Sequence, residues 1–187
     1  MKTRSLPMAI VAALLAGCTY YSLVQAGKTD IAGVYTVDTS IRWNKVTDRH
    51  TELWTVDGLG LQQIRFVNGL SDGDKLFAQE KKGEMPTYKS DMSFLEVQEF
   101  IETSAIVTGV TEIKTTGFRP EKFGSLDGFR AEFSYTAEDG LLRDGFVVGT
   151  KKDKKLYLII YDGARLHYYP KHKVDAEGIV HSIQIKK

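Results

Sequence analysis

The stretch from Gly128 to Tyr161 constrains the fold more than any other. Phe129, Ala131, Phe133 and Tyr135 alternate with Arg130, Glu132, Ser134 and Thr136. That period of two belongs to a strand with one face buried. Glu138-Asp139-Gly140 marks a turn, Leu142 to Thr150 a second strand, and the charged run Lys151 to Lys155 another turn. Leu156 to Tyr161 is then almost continuously apolar, which predicts a central strand covered on both faces. Turns this short make neighbouring strands antiparallel, so the segment is a β-meander.

Upstream, Val34 to Val46 is rich in Val, Tyr, Thr, Ile and Trp and predicts a strand. Glu52 to Val56 and Leu61 to Val67 predict two more, joined by Asp57-Gly58-Leu59-Gly60, whose Asp-Gly step suits a hairpin turn. Asp72-Gly73 marks the turn that ends this part of the sheet. Ser93 and Glu96 have capping-box spacing, and Met92 and Val97 have the spacing of a hydrophobic staple, with Ser90 or Asp91 as the alternative cap. A helix starting there presents Phe94, Val97, Ile101 and Ala105 on one face. Val107 to Thr115 predicts a strand. A second helix spans about Val174 to Ile183, with Ala176, Val180 and Ile183 inward and Gly178 weakening it. The order implies an α+β fold, an antiparallel sheet covered by helices, in one domain over residues 31–187.

The N-terminus carries a different message. Lys2 and Arg4 precede an apolar run from Leu6 to Ala16, about half the length needed to span a bilayer. Leu15-Ala16-Gly17-Cys18 follows, and it resembles the lipobox of bacterial lipoproteins. The resemblance implies that residues 1–17 are a signal peptide removed before Cys18, and that Cys18 carries the lipid. An ordinary secretory signal cleaved elsewhere and an uncleaved anchor are the alternatives. Thr19 after the cysteine, rather than Asp, implies the outer membrane, with the domain facing the periplasm. Residues 18–30 then form the lipidated cysteine and a tether. Tyr20, Tyr21, Leu23 and Val24 make that tether apolar enough for part of it to pack on the domain. Two or three acyl chains suffice to hold such a domain on a bilayer.

Removing residues 1–17 from 187 leaves 170 residues, ample for one core. Loss of Lys2 and Arg4 takes two from 25 basic residues against 24 acidic ones, a net charge near −1. A nucleic-acid partner is therefore not expected. Cys18 is the only cysteine, so its lipidation removes thiol chemistry, disulfides and thiolate metal sites.

Chemical motifs are sparse. His50, His167, His172 and His181 form no His-Glu-x-x-His, and no Gly-x-Ser-x-Gly is present. Gly58-x-Gly60 lacks the rest of a dinucleotide fingerprint, and Asp72-Gly73-Asp74 is too short for a calcium loop. No cofactor or metal is expected. Paired carboxylates are set by space and not by spacing, so a hydrolase acting on envelope material stays open. Aromatic residues leave room for a ligand, because Trp and Tyr join an apolar body to a polar tip. Trp43, Trp54, Tyr161, His167 and Tyr168 are the candidate binding residues, near the end of the Leu156–Tyr161 strand. The same residues equally suit a core.

Two stretches carry a wider resemblance. One is Trp43-Asn44, Glu52 to Gly58, Gly69 to Gly73 and Phe77. The other is Phe123-Gly124, Gly128-Phe129, Lys155 to Ile159, His167-Tyr168-Tyr169 and Ser182-Ile183. Together they resemble a family of proteobacterial lipoproteins. The second half is also similar, more distantly, to the Mog1/PsbP-type fold. There a Gly-rich turn leads into a meander, a strand of the type Leu-Tyr-Leu-Ile-Ile, and a closing helix ending in a pattern like Ile179-Val180-His181-Ser182-Ile183. Pro170 and Gly178 depart from that pattern. The resemblance implies a non-catalytic domain that binds a protein partner or another envelope component and is held to the membrane through Cys18. A small-molecule binder using the Trp/Tyr cluster is the other alternative.

Overall fold

The computed structural model describes residues 21–48, 51–78 and 83–186. The expected signal peptide and Cys18 lie outside the described residues. In chain order the elements are β1 (Ser22–Val24), β2 (Gly27–Ile31), β3 (Tyr35–Thr39), β4 (Trp43–Asp48), β5 (Thr51–Thr55) and β6 (Gln62–Leu70). Then follow α1 (Phe94–Val107), β7 (Thr111–Phe123), β8 (Leu126–Thr136), β9 (Leu142–Lys152), β10 (Lys155–Ala164), α2 (Tyr168–His181) and β11 (Gln184–Ile185).

An eight-stranded sheet runs β1-β4-β5-β6-β10-β9-β8-β7, and a three-stranded sheet runs β11-β3-β2. Every pairing is antiparallel. The large sheet is the middle layer. On one face Trp43, Trp54, Phe66, Phe146, Ile159 and Tyr161 pack with α2 and the small sheet. On the other, Val67, Ala131, Val147, Leu158 and Ile160 pack with Val97, Phe100 and Ile101 of α1. The α+β class, the meander and the two-sided cover of β10 are as the sequence pattern predicts. Both cores and all the described strands and helices lie within residues 22–185, so a chain starting at Thr19 keeps all of them.

Helix α1 begins as its capping box dictates. Ser93 Oγ accepts from Glu96 N at 3.2 Å, and the Glu96 carboxylate accepts from Ser93 N at 2.7 Å. It runs on through Val107, where the pattern predicts a strand; the strand β7 begins only at Thr111 and extends to Phe123. Pro120 and the bulges near Gly117 are tolerated because β7 is the sheet edge.

Three further differences have local causes. The strand predicted over Val34 to Val46 is two strands in two sheets, separated at residues 40–42. There Trp43 Nε1 donates to Thr39 Oγ1 at 2.8 Å, and that hydroxyl donates to Ile41 O at 3.0 Å. The segment read as a tether supplies β1, paired with β4, and β2, paired with β3. Among the described residues, paired strands therefore begin at Ser22, ahead of residue 31. Helix α2 starts at Tyr168, six residues before Val174. Pro170 falls in its first turn, where the backbone N–H has no intrahelical acceptor to lose.

Gly178 sits in α2, and a Cβ added there meets nothing within 4 Å. Gly178→Ala should stabilise the domain by about 0.5–1 kcal/mol by restricting the unfolded chain. The check is a rise in the urea midpoint with an unchanged slope.

Candidate functional site

The register of the large sheet decides which side chains meet beneath α1. Asp162 stands opposite Gln63, Ile160 opposite Arg65, and Tyr135 opposite Arg143. Side chains alternate across a pleated sheet, so these polar residues share the α1 face with Val147 and Ile160. Between that face and α1 lies a cavity of about 430 Å³. Leu53, Leu76, Phe77, Ile101, Val147 and Ile160 give it apolar walls; Gln63, Arg65, Tyr135 and Asp162 give it a polar floor.

Asp162 is buried and its oxygens are occupied. Oδ1 accepts from Gln63 Nε2 at 3.0 Å. Oδ2 accepts from Tyr135 OH at 2.9 Å and from Arg143 Nε at 2.8 Å. Arg143 Nη2 makes an ion-pair contact with the same oxygen at 2.7 Å, at an angle unsuited to a hydrogen bond, while Nη1 donates to Gly60 O at 2.6 Å. Burial, then the Asp162 charge, push the Tyr135 phenol far above its ordinary range, so it stays a donor. Gly145 makes room for this floor, since a Cβ there would lie 2.4 Å from the Phe133 ring.

Arg65 differs from Arg143. Its guanidinium lies over the Phe77 ring, 5.1 Å from the centroid. Among the described residues it has no side-chain hydrogen bond and no ion pair. Burial lowers its pKa, opposed by the charges of Asp162 and Tyr135. The residue is half-buried and lines the cavity. On the α1 wall, Gln98 Nε2 donates to Glu102 Oε1 at 3.1 Å, but Gln98 Oε1 is buried without a partner.

The five aromatic and histidine candidates do not share one surface. Trp43 and Trp54 are fully buried, their rings 6.3 Å apart, and Trp54 also packs on Phe66 at 4.7 Å. Tyr161 is fully buried, with its hydroxyl donating to Tyr169 O at 2.7 Å. These three belong to the core beneath α2. His167 is exposed and Tyr168 half-buried, in edge contact at 4.9 Å. Arg65, Gln63, Gln98 and Asp162 are not among the residues the sequence pattern singles out. The available signal was charge inside apolar strands: Arg65 stands between Ile64 and Phe66, and Asp162 directly follows the Leu156–Tyr161 run.

On the α2 side His172 is buried, with Nε2 2.8 Å from Asp57 Oδ2 and Nδ1 3.5 Å from Asp175 Oδ2. Lys171 Nζ also reaches Asp57, at 2.8 Å. Lys171 and then His172 hold the Asp57 carboxyl below its usual range, against some desolvation. A depressed carboxyl pKa stabilises the fold fully above the unfolded value of about 3.9, and less as pH falls through the folded value. Stability should therefore fall on acidification below about pH 4, and Asp57→Asn should flatten that limb in acid titrations followed by circular dichroism. Among the described residues no group of three or more His, Cys, Asp or Glu is placed to hold a metal ion, and no helix is long and apolar enough to cross a membrane.

No family model and no curated protein matches the chain. Solved structures do. Cyanobacterial PsbP (CyanoP) from Synechocystis sp. PCC 6803 is similar over 91% of this chain and 95% of its own, with 11% identity and a TM-score of 0.53. A protein from Bacteroides thetaiotaomicron is similar over 88% of this chain at 13% identity and a TM-score of 0.51. This chain spans only 50% of that protein's length. LpqN of Mycobacterium tuberculosis, described as involved in cell envelope biogenesis, aligns over 92% of this chain and 88% of its own at 11% identity, with a TM-score of only 0.38. The shared architecture with CyanoP is that of a PsbP-like α+β fold.

Proposed function

We propose that the chain is a lipid-anchored, non-catalytic domain of the cell envelope, held at the outer membrane and facing the periplasm, where it binds a protein or an envelope component. One observation carries the binding role: a cavity of about 430 Å³ whose size and mixed lining suit a ligand. Its floor acid, Asp162, is held by three hydrogen bonds from Gln63, Tyr135 and Arg143. That arrangement fixes the carboxylate in one orientation and gives the floor a set shape, which suits recognition. The anchoring role draws on the lipobox resemblance at Leu15 to Cys18. With β1 starting at Ser22, four residues after Cys18, the folded body stands within roughly 14 Å of the anchor.

The test has two parts. Cys18→Ala should move the chain out of the membrane fraction; retention there contradicts the anchor. Crosslinking in intact cells through a C-terminal tag should recover a defined envelope component. Recovery of none, with an intact envelope in a deletion strain, contradicts the binding role.

A further inference from the structure

We propose that the cavity beneath α1 binds a single-chain fatty carboxylate, with its head group on Arg65 and its tail against the walls of Leu53, Leu76, Ile101, Val147 and Ile160. This rests on the reading of the domain as a binding module and names the ligand class of that same cavity.

The unpartnered guanidinium points to an acid. Arg65 is half-buried, and a partly desolvated charge is stabilised by a partner of opposite sign. Arg143 has its carboxylate in Asp162. Among the described residues Arg65 has only the Phe77 face, a neutral partner. Asp162 is near enough to raise the Arg65 pKa, but its oxygens serve Gln63, Tyr135 and Arg143. A planar carboxylate matches the guanidinium fork with two parallel hydrogen bonds.

Charge and shape limit the rest of the ligand. Arg143 and Asp162 cancel each other, and Glu102 on the α1 wall adds one negative charge. Arg65 is the one cation among the described lining residues, so the cavity offers a partner for one anionic group and not for two. Beyond the floor Ala105, Val110 and Ile113 continue the apolar wall, which is broken by Gln98 and Glu102 of α1 and by three threonines. Burial of the tail's methylenes against that wall adds hydrophobic stabilisation to the head-group contact. A volume of about 430 Å³ lies in the lower part of the range for small-molecule sites, which favours a single chain of medium length.

The probe is decanoate, titrated calorimetrically into the lipid-free domain starting at Thr19. Saturable one-to-one binding is expected. Arg65→Met should weaken it about 10- to 100-fold, the worth of hydrogen bonds between charged groups. Decanol, with the same tail and no charge, should bind the unaltered domain more weakly than decanoate by a similar factor. Ala105→Phe fills the cavity from α1 without touching Arg65, and should abolish binding while the circular dichroism spectrum is kept. That second variant decides the matter if Arg65→Met fails to fold. No saturable binding of decanoate, equal binding of decanol, or undiminished binding by folded Arg65→Met or Ala105→Phe overturns the proposal. Such a result leaves the envelope assignment intact, because Cys18→Ala fractionation and crosslinking decide that separately.

Discussion

Asp162→Ala should destabilise the domain by about 3–5 kcal/mol, the cost of leaving a buried charge without its partner. The side chains of Asp162 and Arg143 are 6% and 5% exposed, so the pair is largely withdrawn from water. The same substitution strands the Tyr135 hydroxyl and the Gln63 amide, which both donate to that carboxylate. Adding Arg143→Met should recover a large part of the loss, because the uncompensated guanidinium is then gone. Urea unfolding of the single and double variants is the check. A single-variant loss under about 1 kcal/mol would mean that the pair is solvated, as surface pairs are, and the cavity floor would not be the rigid platform described.

Trp54→Ala should cost about 3–5 kcal/mol as a large-to-small change in a packed core. Trp54 is fully buried between Trp43 and Phe66, and its Nε1 donates to the Glu52 carboxylate. Removing the indole leaves a cavity and takes a donor from an acid that is itself buried, with Lys45 at 3.5 Å as its other partner. A tryptophan serving an open ligand surface would behave otherwise, with little loss of stability and a large loss of binding. Thermal unfolding separates the two outcomes directly.

Much of this architecture is legible in the chain because local and tertiary preferences agree. The alternation over Gly128 to Tyr135 survives as β8, the charged run at Lys151 to Lys155 as the β9–β10 turn, and Ser93 with Glu96 as the cap of α1. The departures arise where tertiary pairing overrides local pattern. Nothing at residues 40–42 signals that the chain changes sheets, since no Gly or Pro interrupts Val34 to Val46. Pro170 suggests a helix boundary, and only the position of the first turn shows it to be harmless. Ser22 to Ile31 looks like a linker by length, but its pairing with β4 and β3 is long-range in origin. The cavity is harder still to anticipate. Arg65, Asp162 and Gln98 lie far apart in sequence and meet through strand register and the placement of α1. Aromatic residues mislead for the converse reason: Trp43, Trp54 and Tyr161 serve a core as well as they would serve a ligand, and burial alone distinguishes the roles.

The most direct test of the cavity as the binding site is a ¹H–¹⁵N NMR titration of the domain starting at Thr19 with decanoate. Saturable shifts should appear at the Arg65 backbone amide and side-chain Nε, at the Gln98 side-chain amide, and at the backbone amides of Ile101, Ala105 and Ile160. Shifts confined to His167, Tyr168 and the neighbouring surface, or no shifts at all, would contradict the account.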